Sequence, residues 1–532
     1  MQTATLAKRS GLTVVLIAAW LLAWHWMATS GPYATVIPSP SALLRQMRTD
    51  IPYYWSNAGT TLSSAAQGYL WGNLIALAGA LGAARSPLLE RWLERFAVTA
   101  IALPLVAIGP LLAILFSGDI PSVILAAQAV IFTTAVYALV GLRSVNSTTL
   151  DIIHAAGGRE WDVLRRARLP AALPQIVGGL QIAAPSAILG AIIGEYMGGE
   201  RGLGVAMVQA QGSFEVARLW GLLVVTSVVA GMAYAAIPLL ARLAFPWSRS
   251  VGTLLGAQED RSTRGGSVGR RLTRALGNTT LTVAILVGAW WLLTILVPNG
   301  GSIAKSPSSV IPYLFTGRTT LGSSLGSASE PAAAYLGSQL EQTLTDAGVG
   351  FLAGLALAVV VALIAFEFRL AERIVLTGSI ALRSIPLLAV MPLLALVFGR
   401  GLVAVSVLTA VMTFFPTVVN LLLAMRAVPA AANDLMRAAG ARRWQFIVKL
   451  RLPYALPSLL AAVKIALPLS IGAAMVAEWL ATGQGLGAAL TQASAGYDYN
   501  FIWAGVVVVL LSSLAVYHLA AAAEGRALER FS

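Results

Sequence analysis

Apolar runs of roughly span length, separated by short polar segments, set the pattern of this chain. A helix needs about 20 mostly apolar residues to cross the hydrocarbon core of a bilayer. On that measure the sequence predicts spans near 11–29, 58–84, 94–117, 120–142, 170–195 and 217–244. A second set is predicted near 279–297, 341–366, 373–398, 401–425, 455–480 and 501–523. The runs starting at 170 and 455 are interrupted by Pro185 and Pro468, which spanning helices tolerate where neighbours enclose the freed backbone groups. The first run follows Lys8 and Arg9, the order of parts in a signal peptide. Its length and its Trp20, Trp24 and Trp26 predict a retained span instead. Between 248 and 275 the apolar pattern stops, and Gly265, Gly266, Ser267 and scattered charges read as a flexible, solvated linker. The expected organisation is a first unit at 1–247, a linker at 248–275 and a second unit at 276–532.

Composition agrees. Of 532 residues 58% are hydrophobic and 11% charged, against about a quarter charged in soluble domains. Mean hydropathy is +0.78. So few charges cannot cover a soluble protein of this length. The net charge of +14 raises nucleic acid as a partner, but the basic residues lie between apolar runs rather than on one face, and no nucleic acid is expected. They mark cytoplasmic loops instead. Arg143, Arg159, Arg165, Arg166 and Arg168 form one cluster, and Arg426, Arg437, Arg442, Arg443, Lys449 and Arg451 its counterpart. Arg249, Arg261, Arg264, Arg270, Arg271 and Arg274 fill the linker, whereas 481–500 holds no basic residue. Both termini and both long basic loops are therefore expected in the cytoplasm. With no cysteine, disulfides, thiolate metal sites and cysteine nucleophiles are excluded.

The two sets of spans repeat each other. Ala155-Ala156-Gly157 recurs as Ala438-Ala439-Gly440, an offset of 283 residues. At the same offset Trp161 matches Trp444, Leu169-Pro170 matches Leu452-Pro453, Pro174 matches Pro457, Pro185 matches Pro468 and Glu195 matches Glu478. Gly202-Leu203-Gly204 matches Gly485-Leu486-Gly487, and upstream the offset is 282, pairing Pro104 with Pro386 and Pro110 with Pro392. An even number of spans per half makes this a parallel repeat, related by an axis along the membrane normal with a path between the halves.

The loop between spans carries the most specific pattern. It reads Asp151-Ile152-Ile153-His154-Ala155-Ala156-Gly157, nine further residues to Ala167, Arg168, then Leu169-Pro170. Its copy is Asp434-Leu435-Met436-Arg437-Ala438-Ala439-Gly440, then Leu450, Arg451, Leu452 and Pro453. This resembles the EAA loop of ABC importer permeases, with Asp in place of the usual Glu and Ile-Ile or Leu-Met in place of an Ala pair. Pro38-Ser39-Pro40-Ser41, Ser306-Pro307-Ser308, and the acid followed by Gly-Leu-Gly at 195–204 and 478–487 resemble the sulfonate, taurine and nitrate branch of that family. The resemblance implies an all-α integral membrane fold: two type I permease units of about six helices each, twelve in total, fused in one multi-pass inner-membrane chain. It implies that the loops at 151–170 and 434–453 each form two short helices docking into a separate ATPase subunit. One chain would take two such subunits and receive its solute from an extracytoplasmic binding protein. The expected coupling residues are Asp151, Ala155, Ala156, Gly157, Leu169, Pro170, Asp434, Ala438, Ala439, Gly440, Leu452 and Pro453. Gly157 and Gly440 would permit a tight bend, and Pro170 and Pro453 would start the next helix. A basic loop resting on anionic headgroups is the plain alternative. The branch suggests small anions such as sulfonates, taurine or nitrate, or vitamin-like heterocycles, as solutes.

No Gly-Lys-Ser or Gly-Lys-Thr loop for nucleotide phosphates is present: the four lysines, Lys8, Lys305, Lys449 and Lys464, follow no glycine. Enzymatic activity, cofactor and metal are not expected, and His25, His154 and His518 are far apart in sequence. Glu195 and Glu478 read either as groups of the translocation path or outer gate, because an acid at the end of a span is costly unless it faces water, a partner or a cavity, or as residues solvated at the outer interface. Lys464, matched by Gln181, is expected to snorkel to the cytoplasmic edge. A secondary transporter with parallel repeats would need ionisable groups near the midplane, and a membrane enzyme would need a cluster of reactive polar groups. Neither is found.

Overall fold

Glycine-rich faces let the helices of each half approach closely. In the computed structural model, which describes residues 18–19, 21–31, 34–245, 287–288, 290–292, 294–295, 303–321, 329–383 and 390–531, helix α2 (Ile51–Ala83) crosses α5 (Ile120–Arg143) at Gly68 and Gly72. A Cβ at either glycine would collide with Val123, Ala126, Ala127 or Val130. The second half repeats the crossing: α12 (Ala332–Glu367) meets α15 (Leu402–Arg426) at Gly350 and Gly354. Small residues four apart serve this purpose in membranes, where close packing rather than water exclusion draws helices together.

The first half runs α1 (Pro40–Thr49), α2, α3 (Pro87–Ala102), α4 (Leu105–Leu115), α5, α6 (Ser147–Ala155), α7 (Glu160–Val163), α8 (Leu169–Gly198), α9 (Leu203–Gly212) and α10 (Val216–Ala244). The second runs α11 (Pro307–Thr316), a two-residue pairing of β1 (Arg318–Thr319) with β2 (Glu330–Pro331), α12, α13 (Arg369–Arg383), α14 (Met391–Phe398) and α15. It continues with α16 (Ala430–Ala438), α17 (Arg443–Gln445), α18 (Leu452–Ala477), α19 (Leu486–Ala495) and α20 (Tyr499–Phe531). The linker expected at 248–275 lies outside the described residues, as do large parts of the leading spans of both halves.

The protein is an all-α integral membrane protein. Among the described residues seven segments are long and apolar enough to cross a bilayer: Ile120–Arg143, Glu160–Gly198, Val216–Ala244, Ala332–Glu367, Leu402–Arg426, Arg443–Thr482 and Tyr499–Arg526. Each matches an expected span. The run at 58–84 is a continuous helix too, outside that set. Its Leu70, Trp71, Leu74 and Ile75 stand exposed on the outside of the bundle, where lipid would cover them.

The expected span at 94–117 is two helices, broken at Leu103-Pro104. Pro104 lacks the N–H that would continue α3, and its ring disfavours helical geometry at the residue before it; Leu103 is extended, with ψ 106. The Leu103 carbonyl freed at the break accepts from Gln128 Nε2 at 3.2 Å. The run at 373–398 is likewise divided between α13 and α14, residues 384–389 being outside the described set. By contrast Pro185 and Pro468 leave α8 and α18 unbroken.

The two halves interlock. The short helix α4 packs against α18, α19 and α20, and α14 packs in return against α9 and α10. Val106, Ala107, Leu111 and Leu112 lie in a core with Ile471, Met475, Leu486 and Phe501 of the second half, and Leu393 joins the core of the first.

Candidate functional site

Each repeated loop folds as a helical hairpin. Gly157 at φ +78 and Gly440 at φ +65 turn the chain after α6 and α16, a backbone region that glycine enters at no steric cost. Nothing lies within 4 Å of a Cβ built on either, so the bend itself requires the glycine there. The next helix starts the same way in both copies with different side chains. Asp162 Oδ2 accepts from the Arg159 N–H at 3.1 Å, and Gln445 Oε1 accepts from the Arg442 N–H at 2.7 Å. Asp151, Ala155, Ala156, Gly157, Asp434, Ala438, Ala439 and Gly440 are all exposed. Around them Ile152, Trp161, Leu435, Trp444 and Val448 present large apolar side chains to the surface.

Leu169, Pro170, Leu452 and Pro453 are half-buried, in the first turns of α8 and α18. Pro170 and Pro453 stand at the starts of α8 and α18, and no chain break precedes them. The helix is continuous over Glu160–Gly198, 39 residues, and over Arg443–Thr482, 40 residues. A wider π turn at Leu164–Arg168 and at Phe446–Arg451 joins the pieces, and such a turn accommodates the bond a proline cannot make. At about 1.5 Å per residue each continuous helix extends roughly 58–60 Å, about twice the thickness of the hydrocarbon core.

The roots of the hairpins are fixed to the rest of each half. Arg168 Nη1 donates to the Ala84 carbonyl at 2.8 Å, and Arg451 Nη1 donates to the Met425 carbonyl at 2.9 Å. Arg143 pairs with Glu90, and Arg426 with Glu372 at 2.7 Å. Arg168 and Arg451 fill the position that the loop pattern leaves open before Leu-Pro. Their identity in both copies was the available sign of a shared role.

At the other end of the same helices lie Glu195 and Glu478, 3% and 0% exposed. Neither is solvated. The first N–H groups of a helix have no partner within it, and in both copies three side chains supply them. Asn57 Oδ1, Thr61 Oγ1 and Glu195 Oε2 accept from the N–H groups of Gly202, Leu203 and Gly204 at 3.0, 2.9 and 2.7 Å. Gln339 Oε1, Thr343 Oγ1 and Glu478 Oε2 do the same for Gly485, Leu486 and Gly487 at 2.8, 2.9 and 2.9 Å. A carboxylate suits the positive end of a helix. Gly202 at φ +126 and Gly485 at φ +90 run so close beneath the carboxylate that any Cβ would collide with it. Asn57, Thr61, Gln339 and Thr343 escaped the sequence reading, although the pairs 57 with 339 and 61 with 343 keep the 282 offset of the upstream prolines.

Lys464 does not snorkel: its Nζ lies 2.5 Å from Glu524 Oε2 of α20, with 20% and 8% of the two side chains exposed. His154 Nε2 sits 3.4 Å from Glu160 Oε1, and no group of three metal-ligating residues occurs among the described residues.

Two interlocked helical units, each with an exposed hairpin rigidly continuous with a spanning helix, define a membrane permease. The chain belongs to the family of binding-protein-dependent transport system inner membrane components, whose pattern it matches twice, at residues 72–249 and 350–528. It is similar to a probable ABC transporter permease of Haemophilus influenzae, 32% identical over 216 residues, which are 40% of this chain and 87% of that one. The riboflavin transport system permease RibX of Chloroflexus aurantiacus is 30% identical over 246 residues, 45% of this chain and 91% of its own. The taurine transport permease TauC of Escherichia coli is 25% identical over 243 residues, 46% and 84% respectively. Relatives of this kind match less than half of this chain while being nearly spanned themselves, which fits two units in one chain.

Proposed function

We propose that this chain supplies both permease halves of an ATP-binding-cassette importer, with one ATPase subunit docked on each of the hairpins at 151–170 and 434–453. The observation that carries the reading is the matched pair of exposed apolar hairpins, each continuous with a helix about twice as long as the hydrocarbon core is thick. In this reading the units are 1–247 and 276–532, joined by a cytoplasmic linker at 248–275, and both termini lie in the cytoplasm. ATP is hydrolysed on the partner subunits, and an extracytoplasmic binding protein delivers the solute at the opposite face. Glu195 and Glu478 hold the outer end of the path in shape by fixing α9 and α19. The names of the relatives favour a small solute, an anion of the taurine and sulfonate kind or a vitamin-like heterocycle; the ligand carried by the cognate binding protein decides between them.

The test is a pair of substitutions at the bends. Replacing a glycine held at positive φ strains the backbone by about 1 kcal/mol or more, and a bulky side chain at the exposed bend obstructs docking. Gly157→Trp or Gly440→Trp alone lowers uptake, and the double variant abolishes both uptake and ATPase pull-down while the chain still inserts. Full uptake by the double variant contradicts the coupling role. The topology has its own check: cysteines introduced at Ser267 and Ser532 are labelled from the cytoplasmic side only.

A further inference from the structure

We infer that Tyr196 and Trp479 form the closure of the solute path at the end opposite the hairpins. The inference rests on the importer reading above. The two residues are each other's counterparts, 283 positions apart like the loops, and their rings touch edge to face, centroids 5.9 Å apart at 67°. Where two units are related by a twofold axis, a position meets its own counterpart only at that axis. The axis is also where the path between two parallel repeats runs. The Tyr196–Trp479 contact therefore lies across it.

The neighbouring positions repeat the exchange. Met197 packs against the core shared with the second half, and its counterpart Leu480, with Trp479, packs against the core of the first. Gln211 of α9 donates from Nε2 to the Leu480 carbonyl at 3.5 Å. Tyr196 Oη donates to Met207 Sδ of α9 at 3.5 Å. Each ring directly follows the carboxylate that fixes α9 or α19, so neither ring swings freely from its helix end. Opening the closure then means parting the two helix ends. Those helices are the ones that begin in the hairpins, so a rigid-body displacement at the hairpins reaches the aromatic pair along one continuous element.

The native chain has no cysteine, so the test places Tyr196→Cys and Trp479→Cys together and uses a short bis-thiosulfonate cross-linker. The complete assembly, with its ATPase subunits and binding protein, is cross-linked without nucleotide and after trapping with ATP and vanadate. High yield without nucleotide, loss of cross-linking on trapping, and loss of uptake in the cross-linked assembly that reductant restores are expected. Equal yield in both states, or undiminished uptake by the cross-linked assembly, overturns the inference. ATPase pull-down is measured on the same samples, so failed docking of the hairpins registers separately from a failed closure. If the cysteine pair does not insert, Tyr196→Ala with Trp479→Ala carries the test. ATP hydrolysis that no longer depends on the binding protein supports the closure, whereas retained dependence with full uptake overturns it.

Discussion

The two halves are near copies at the helix ends held by Glu195 and Glu478, and differ in how their outer helices are fastened. The three side chains that receive the first N–H groups of α9 have counterparts of the same chemistry under α19, with distances agreeing to within 0.2 Å. Elsewhere the halves diverge. In the first, Asp50 beside α1 binds Arg218 of α10 at 2.7 Å; in the second, Tyr313 of α11 meets Asp498 at 3.4 Å. Lys464 and Glu524 join α18 to α20, where the first half has Gln181 and Ala241. The common parts are the starts of α9 and α19 and the side chains that receive their first N–H groups, and the divergent parts fasten helices to neighbours in ways each half can solve separately. Fusion in one chain permits this, because each position of a copy is encoded on its own.

The Lys464–Glu524 pair offers the sharpest way to break the comparison. Removing one partner leaves a charge in an apolar surrounding, a loss of about 3–5 kcal/mol, whereas replacing both is often neutral. Lys464→Gln or Glu524→Ala alone therefore lowers thermal stability in detergent. The double variant, which rewrites the second half with the residues of the first, recovers most of it. Equal stability of all three removes the pair from the account.

Next come the carboxylates. Glu195→Ala and Glu478→Ala each leave one buried N–H, that of Gly204 or Gly487, without its acceptor, at about 1–3 kcal/mol, and the two losses agree because the geometries do. Unequal losses, read from thermal unfolding, would break the symmetry claimed at these helix ends. Gly202→Ala and Gly485→Ala act at the same place, since the added Cβ displaces the carboxylate.

The smallest effect concerns pH. The hydrogen bond from Arg218 holds the Asp50 carboxyl below its ordinary value of 3.8, outweighing the opposing effect of burial. A carboxyl depressed in the folded state adds stability above 3.8 that is lost as pH falls through its folded pKa. In the other half, burial foremost raises the Tyr313 hydroxyl above its ordinary range, so it stays a neutral donor at acid pH. Acidification from neutrality to about pH 3 therefore lowers amide protection, relative to the intrinsic exchange rate at each pH, in 40–49 more than in 307–316. Equal change in both segments contradicts the assignment.

The spans and the repeat were legible in the sequence, because long apolar runs and matches at a nearly constant offset constrain a chain in a bilayer. The hairpins could be read from Gly157, Gly440 and the Leu-Pro pairs. The continuity of hairpin and span could not: Pro170 and Pro453 suggest a boundary, and no residue pattern announces the π turns at Leu164–Arg168 and Phe446–Arg451 that carry the helix across it. The break at Pro104 was misjudged for the opposite reason. One proline breaks a helix while Pro185 does not, and the difference lies in neighbours such as Gln128 that receive the freed groups. The depth of Glu195 and Glu478 was likewise undetermined, since their partners Thr61 and Thr343 lie more than a hundred residues away.

The central claim is that one chain supplies both halves, and the native mass of the purified complex tests it most directly. One copy of this chain with two ATPase subunits is expected. Two copies of the chain with two ATPase subunits would contradict it, because each chain would then leave one of its hairpins undocked.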